Sequence, residues 1–170
     1  MVPEAVDPAN IDETPRKGEL PLPHVQRLAA EKAVATAARH PGKVVLAADT
    51  LVACGRRILP KAEAEAQALE CLTLLSGRRH RVHTALTVID AGGTARHRVS
   101  TSIIAFKRLS EAEIAAYLAS GEWEGKAGGY AIQGSAEAFV RHMAGSHSGV
   151  MGLPLFETRA LLLASGVPLG

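Results

Sequence analysis

The sequence predicts a single α/β domain in which a mixed β-sheet lies centrally between flanking helices. Its length of 170 residues suits one compact domain that can bury a core. Segments with the spacing of amphipathic helices alternate with apolar or β-branched runs, which is typical of α/β proteins. Two such runs, 79–90 and 96–107, flank the turn Ala91-Gly92-Gly93 and predict a β-hairpin within the sheet. We expect this one domain to cover residues 1–170.

The first half of the chain predicts a lead-in, a helix and a buried strand. Residues 1–23 contain five prolines and no periodicity, so we expect them to be extended. Helical spacing starts near His24, and Pro41-Gly42 ends it. The continuous apolar run 44–48 is typical of a strand that is buried on both faces, and we expect this strand to end at Asp49-Thr50.

The second half of the chain predicts further helices and strands around a glycine-rich loop. Ser110 and Glu113 have the spacing of a capping box, which predicts the start of a helix that runs to Ser120-Gly121. Residues 125–134 hold four of the sixteen glycines and predict a loop. The remaining predicted elements are two helices and one short strand: 62–75, 155–164 and 138–142.

Composition and charge exclude several classes of partner. The net charge is +2, from 19 basic and 17 acidic residues, and aromatic residues make up 4% of the chain. This balance predicts no nucleic-acid partner and no aromatic platform for single strands. No apolar stretch is long enough to span a membrane, so we expect no membrane partner. Cys54 and Cys71 lack metal-ligand spacing, which favours a reduced protein in the cytoplasm.

Asp49 is the most informative candidate for a catalytic residue. The predicted strand ends at this residue, and α/β sheets bind ligands at the carboxyl ends of their strands. A carboxylate in such a place can hold a divalent metal or activate a water molecule. An aspartate at the end of a strand can equally cap a helix or stabilise a turn. The local pattern leaves both interpretations open.

Three further polar residues are candidates for binding an anion or a base. Lys61 precedes a predicted helix, whose N-terminus can bind an anion, although a lysine there can also be merely solvated. Lys126 opens the glycine-rich loop, whose backbone N–H groups can approach a phosphate closely. Gln133 offers a donor and an acceptor that suit the edge of a base, or it bonds its own backbone in the loop.

Six stretches of sequence, in order, carry a resemblance to a known family. The stretches are Ile11-Asp12-Glu13-Thr14-Pro15, Ala30-Glu31-Lys32-Ala33, Ala47-Ala48-Asp49-Thr50, Leu75-Ser76-Gly77-Arg78, Lys126-Ala127-Gly128-Gly129-Tyr130-Ala131-Ile132-Gln133-Gly134 and Gly152-Leu153-Pro154-Leu155. Together they resemble the Maf family of nucleoside triphosphate pyrophosphatases, over nearly the whole chain. The resemblance implies a Maf/inosine triphosphatase-like fold.

The resemblance also implies a reaction and the residues that perform it. Water attacks the α-phosphorus of a nucleoside triphosphate and releases pyrophosphate, with the help of a divalent cation such as Mg²⁺ or Mn²⁺. Asp49 matches the family's catalytic proton acceptor. Thr50 and Gln133 match positions tied to base choice, and this pair resembles the subgroup that takes dTTP and UTP.

Other positions match polar residues that lie near the phosphates and the metal in the family. They are Glu13, Lys32 and Lys61, and Lys126 is a further candidate for binding the substrate. We expect Glu13 and Asp49 to hold the metal. A triphosphate needs several cations to offset its charge, so the three lysines agree with the implied substrate. A homodimer is a further expectation of the family.

The sequence departs from the family in two places. The family's first strand and its Ser-x-Ser-Pro-Arg loop have no match here, so we expect a domain that is N-terminally truncated relative to the family, with a sheet that has an open edge or exchanges partner strands. The run Ser146-His147-Ser148-Gly149-Val150 stands where the family usually has Ser-Tyr-Ser-Asn-Val. An alternative to the enzyme is therefore a non-catalytic nucleotide-binding or regulatory protein linked to septum formation.

Overall fold

A five-stranded antiparallel sheet, in the order β2-β1-β3-β4-β5, organises the computed structural model, which describes residues 2–169. The strands are β1 Val45–Cys54, β2 Arg57–Leu59, β3 Arg79–Ile89, β4 Ala95–Phe106 and β5 Val140–Ala144. The helices are α1 Pro21–Arg39, α2 Glu65–Leu75, α3 Glu111–Ser120, the short α4 His147–Val150, α5 Leu155–Ala164 and a 3-10 helix, Ser135–Phe139. The α/β class and the central sheet with flanking helices are confirmed.

The sheet is antiparallel between all neighbouring strands, whereas the sequence predicts a mixed sheet. The difference arises from β2, a three-residue strand that the apolar pattern does not predict. Because β2 folds back along β1, the chain has already reversed its direction before α2 carries it across to β3. β1 therefore lies between β2 and β3 and is antiparallel to both.

The two faces of the sheet are covered by different helices. Odd-numbered side chains of β1, such as Leu51 and Ala53, pack with Val25 and Ala29 of α1. Even-numbered side chains of β1 and β3 face α5 and the larger core, which also contains residues of α2 and α3. Successive residues of a strand point to opposite faces, so neighbouring residues of β1 contribute to different layers.

Two element boundaries differ from the sequence-based prediction. Helix α1 starts at Pro21, three residues before His24, because proline fits the first helical turn, where no N–H donor is needed. Strand β1 does not end at Asp49 but continues to Cys54, because its register with β3 runs unbroken from Val45 to Ala53. Asp49 therefore lies in the middle of a strand, and the prediction that placed it at a carboxyl end is wrong.

Most other elements agree with the prediction. The β3–β4 hairpin pairs Ile89 with Ala95 next to the glycine turn. The capping box forms at α3, where the Ser110 hydroxyl accepts a 3.3 Å hydrogen bond from the Glu113 N–H. The predicted helices 62–75 and 155–164 correspond to α2 and α5. Strand β5 starts two residues later than predicted, because the 3-10 helix occupies the preceding residues.

Strand β1 has an unpaired stretch along one side, which we call the open edge. The pairing with β2 covers only Val52–Cys54, whereas the pairing with β3 starts at Val45. Within residues 2–169, no strand pairs with the other side of 45–51. Across the same residues, no helix is both long and apolar enough to cross a bilayer.

Candidate active site

A cleft of about 260 Å³ lies at the open edge of β1. It is bounded by α1, the segment after β2, the glycine-rich loop and the end of α4. The lining includes six residues that the sequence analysis singled out: Lys32, Asp49, Thr50, Lys61, Lys126 and Gln133. The fold thus brings together side chains as far apart in the sequence as Lys32 and Gln133.

The open edge explains how Asp49 and Thr50 reach the same cleft. Asp49 points to the face that α1 covers, where it meets Lys32, and Thr50 points to the opposite face, where it meets Thr84. A neighbouring strand would separate these two faces. Because no described strand pairs with the side of β1 that faces away from β3 at this level, one ligand at the edge can contact both side chains.

A chain of alternating charges runs along one side of the cleft. The Lys32 ammonium donates a 2.5 Å hydrogen bond to Asp49 Oδ1 and lies 2.7 Å from Glu13 Oε1. The Lys61 ammonium donates a 3.0 Å bond to Glu13 Oε2. Glu13 comes from the lead-in segment, so the ion pairs tie this segment to α1 and to Lys61.

Burial sets the titration behaviour of this cluster. Asp49 is only 7% exposed, and desolvation raises its pKa even though the Lys32 bond and charge act to lower it. Burial lowers the pKa of Lys32, but bonds to Asp49 and Glu13 outweigh burial, and its net shift is upward. For Glu13, burial is again opposed by the two lysines, and its net pKa is lowered. The two carboxylates thus shift in opposite directions: the pKa of Asp49 rises and that of Glu13 falls.

The glycine-rich loop is fixed against the segment that carries Lys61. A β-bridge joins Lys61 to Ala127, and the Ala62 N–H donates a 3.0 Å hydrogen bond to the Lys126 carbonyl. Gly128 adopts a φ of +68°, and a Cβ there would lie 2.9 Å from Val52 of β1. Only glycine permits this approach, so the loop holds both lysines at the mouth of the cleft.

The two loop candidates have side chains that are available to a ligand. Gln133 and Lys126 are both exposed at the cleft. No hydrogen bond from another residue within 2–169 reaches either side chain, so Gln133 is not bonded to its own backbone. Asp49 does not cap a helix or a turn either, because it lies within β1. For Gln133, the alternative of a bond to its own backbone is therefore not observed, and for Asp49, the alternative of a helix cap or a turn is not observed either.

Thr84 is a residue of the site that sequence reasoning missed. Its hydroxyl lies 2.8 Å from the Thr50 hydroxyl and donates a 2.7 Å hydrogen bond to the Gly149 carbonyl. Thr84 is 1% exposed and lies directly opposite Thr50 in the register between β1 and β3. Nothing in a single sequence gives that register, and β3 contains several other polar residues, so no local signal distinguishes Thr84.

The donor set of the cleft fits a magnesium-like cation that a substrate also binds. No group of three or more His, Cys, Asp or Glu side chains that could share one metal ion occurs in the described part of the chain. Glu13 and Asp49, however, both lie within hydrogen-bond distance of one ammonium group. Mg²⁺ is commonly held by one or two carboxylates together with substrate phosphates, so these two carboxylates suit it.

The cleft of this α/β fold is surrounded by three lysines and two carboxylates. These side chains define a class of protein that is suited to binding an anionic ligand together with a metal ion. A family model described as "Maf-like protein" matches residues 1–165. The chain belongs to this Maf-like family.

Relatives of the chain are known in several bacteria. It is 63% identical over 162 residues to the dTTP/UTP pyrophosphatase of Paramagnetospirillum magneticum, covering 95% of this chain and 85% of that protein. It is 62% identical over 167 residues to the dTTP/UTP pyrophosphatase of Zymomonas mobilis, covering 98% and 83%. A third dTTP/UTP pyrophosphatase, from Caulobacter vibrioides, is 55% identical over 166 residues, covering 98% and 86%.

Proposed function

We propose that this protein is a nucleoside triphosphate pyrophosphatase that hydrolyses dTTP and UTP to the monophosphate and pyrophosphate. The observation that carries the proposal is the convergence of the six predicted polar side chains on one cleft, in a chain about 60% identical to proteins named dTTP/UTP pyrophosphatase. This activity removes nucleotides from the triphosphate pool.

In the proposed reaction, Asp49 accepts the proton of the attacking water. The water oxygen bonds to the α-phosphorus, the bond from that phosphorus to the α–β bridging oxygen breaks, and pyrophosphate leaves. Asp49 suits this role because burial raises its pKa, which makes its carboxylate a stronger base. Its Oδ1 atom is held by Lys32, and the second oxygen has no hydrogen-bond partner within residues 2–169.

The lysines offset the charge of the triphosphate. Lys32 remains protonated because the two neighbouring carboxylates raise its pKa. Lys61 and Lys126 lie at the mouth of the cleft and extend the positive surface toward the leaving phosphates. Positioned cations of this kind stabilise the charge that develops in phosphoryl transfer.

A divalent cation completes the proposed site. Glu13 and Asp49 would hold Mg²⁺ or Mn²⁺, and when bound it would make the attacked phosphorus more electrophilic. Thr50 and Gln133 would contact the base. We further propose that the protein acts in the cytoplasm as one domain, without a nucleic-acid or membrane partner, and that it forms a homodimer.

The test is the release of pyrophosphate from dTTP, UTP, CTP, ATP and GTP with Mg²⁺ or Mn²⁺. We expect dTTP and UTP to be cleaved faster than ATP and GTP, because an amide that the bound base covers and leaves unpaired costs about 1–3 kcal/mol. Equal rates for all nucleotides, or release of single phosphates, contradict the proposal. Nucleotide binding without any hydrolysis would favour the alternative of a regulatory protein.

A further inference from the structure

The hydrogen bonds behind Thr50 have a fixed direction. A carbonyl oxygen only accepts, so the 2.7 Å bond between Thr84 and the Gly149 carbonyl uses the single hydroxyl hydrogen of Thr84. The 2.8 Å bond between the two threonine hydroxyls must then be donated by Thr50. Thr50 therefore has no hydrogen left to offer to the cleft, and toward a ligand it acts only as an acceptor.

The surroundings of Thr84 keep this arrangement in place. Thr84 is 1% exposed, so water cannot replace either of its partners. Gly149 belongs to α4, whose start is fixed by a 3.0 Å hydrogen bond from the Gly149 N–H to the Ser146 hydroxyl. Ser146 is in turn bonded to Ser102 of β4. The Gly149 carbonyl, which is the last acceptor in this series of hydrogen bonds, is thus anchored to the sheet.

We propose that Thr84 is a positioning residue for base selection, which makes Thr50 an obligate acceptor and so favours uracil and thymine over cytosine. The inference rests on the proposed function, in which Thr50 contacts the base. Uracil and thymine carry an N–H donor at N3, which can bond to Thr50. The inference therefore places Thr50 opposite N3. Cytosine carries an acceptor at N3 and its donor at the neighbouring 4-amino group, so two acceptors would face each other at N3 and repel. Gln133 can serve either base, because its amide both donates and accepts.

The first experiment compares Thr84→Val with Thr84→Ser. Valine matches threonine in shape but has no hydroxyl, which frees the Thr50 hydrogen to bond to the N3 atom of cytosine. We expect the ratio of kcat/KM for UTP to kcat/KM for CTP to fall about tenfold in Thr84→Val. Thr84→Ser keeps the hydroxyl and should keep the ratio of the unsubstituted protein. A ratio that Thr84→Val leaves unchanged, or no preference for UTP in the unsubstituted protein, overturns the inference.

A second comparison tests whether Thr84 acts through Thr50. If it does, the double variant Thr50→Val/Thr84→Val should have the same UTP-to-CTP ratio as Thr50→Val alone. Independent, additive effects of the two substitutions would overturn the inference. Should Thr84→Val fail to fold, as judged by thermal unfolding, Thr84→Ala removes the hydroxyl with a smaller side chain and replaces it in both comparisons.

A binding measurement separates this inference from the proposed function. UMP and CMP are compared for the rise in melting temperature that each produces, which needs no hydrolysis. We expect UMP to protect the unsubstituted protein more than CMP does, and Thr84→Val to remove this difference. A protein that shows this pattern but releases no pyrophosphate would refute the proposed function and support the inference. Pyrophosphate release together with equal protection by UMP and CMP would support the proposed function and refute the inference.

Discussion

The Asp49 carboxylate is buried at a cost that its ion pair with Lys32 does not fully offset. Its pKa is raised in the folded protein, chiefly by desolvation, so folding disfavours the charged form. Asp7, in the lead-in segment, shows the opposite behaviour, because hydrogen bonds from Arg39 and His40 lower its pKa. Neutralising these two aspartates should therefore have opposite consequences for stability and for activity.

For Asp49→Asn we expect kcat/KM to fall by roughly 10²–10⁴-fold, because the proposed general base is lost. The midpoint of urea unfolding should not fall, since the substitution removes a charge that burial disfavours. Pyrophosphate release and urea denaturation measure the two quantities. In the control, Asp7→Asn should keep its activity and lose stability. An Asp49→Asn variant that stays active would assign Asp49 a structural role.

His80 is a buried histidine that the proposed reaction does not use. It is 2% exposed, its Nε2 atom lies 2.8 Å from the Tyr130 hydroxyl, and its Nδ1 atom has no partner among the described residues. Burial lowers its pKa from 6.5 to about 4. The folded state thus resists protonation over this interval, whereas the unfolded chain accepts the proton at the ordinary pKa.

Stability should therefore fall as the pH drops from 6.5 toward 4, and His80 should contribute no further loss below that. The loss attributable to His80 is roughly 3 kcal/mol. His80→Gln should flatten the pH dependence of the free energy of unfolding over this interval. The matched control is His142→Gln, at an exposed histidine, which should leave the slope intact. An unchanged slope in His80→Gln would contradict the assignment.

The residue types at the site could be predicted from the sequence, but their surroundings could not. Asp49 follows an apolar run, Lys61 precedes a predicted helix and Gln133 lies in a glycine-rich loop. Each of these polar side chains is therefore recognisable from its local sequence. The burial of Asp49 depends on α1 lying across the sheet, and the contact between Thr50 and Thr84 depends on strand register. Both are long-range features that a local pattern does not contain.

At the scale of elements, the glycine-rich loop is held close to β1 by the absence of a side chain at Gly128. Gly125, in the same loop, has almost the same φ, +67° against +68°, but no atom lies within 4 Å of the position of its Cβ. The two glycines therefore separate the cost of a left-handed backbone from the cost of a steric clash.

Gly125→Ala should cost about 1 kcal/mol, the penalty for a side chain in a left-handed conformation. Gly128→Ala should cost about 1–3 kcal/mol more, because its methyl group would overlap Val52 and push β1 from the loop. Denaturant unfolding of both variants measures the difference. Equal losses in the two variants would mean that the loop does not depend on its contact with β1.

Elements with strong local signals were predicted well, and elements made by pairing were not. The capping box at Ser110 and Glu113 and the glycine turn of the β3–β4 hairpin are local, and both form. Strand β2 has only three residues, and β1 continues beyond its apolar run because β3 pairs with it. No single segment contains that information, so the prediction of a mixed sheet was wrong.

For the whole molecule, the position of β1 decides how the site is built. The proposed catalytic residue and the proposed base-contacting threonine are neighbours in sequence, yet they lie in different layers of the fold. A ligand that bridges them must sit at the rim of the sheet. The proposed catalytic residue Asp49 and the proposed base-contacting residue Thr50 thus lie on opposite faces of one strand. Each has its own set of supporting contacts.

The open edge should also be detectable by hydrogen–deuterium exchange of the backbone amides. In an antiparallel pair, alternate residues direct their N–H groups toward the partner strand, and the residues between them direct theirs away. Within 45–51, the N–H groups that face β3 should exchange slowly and the intervening ones quickly, so amide NMR spectra in heavy water should lose every second signal first. Uniformly slow exchange would mean that a further strand, from another copy of the chain, covers this edge in solution.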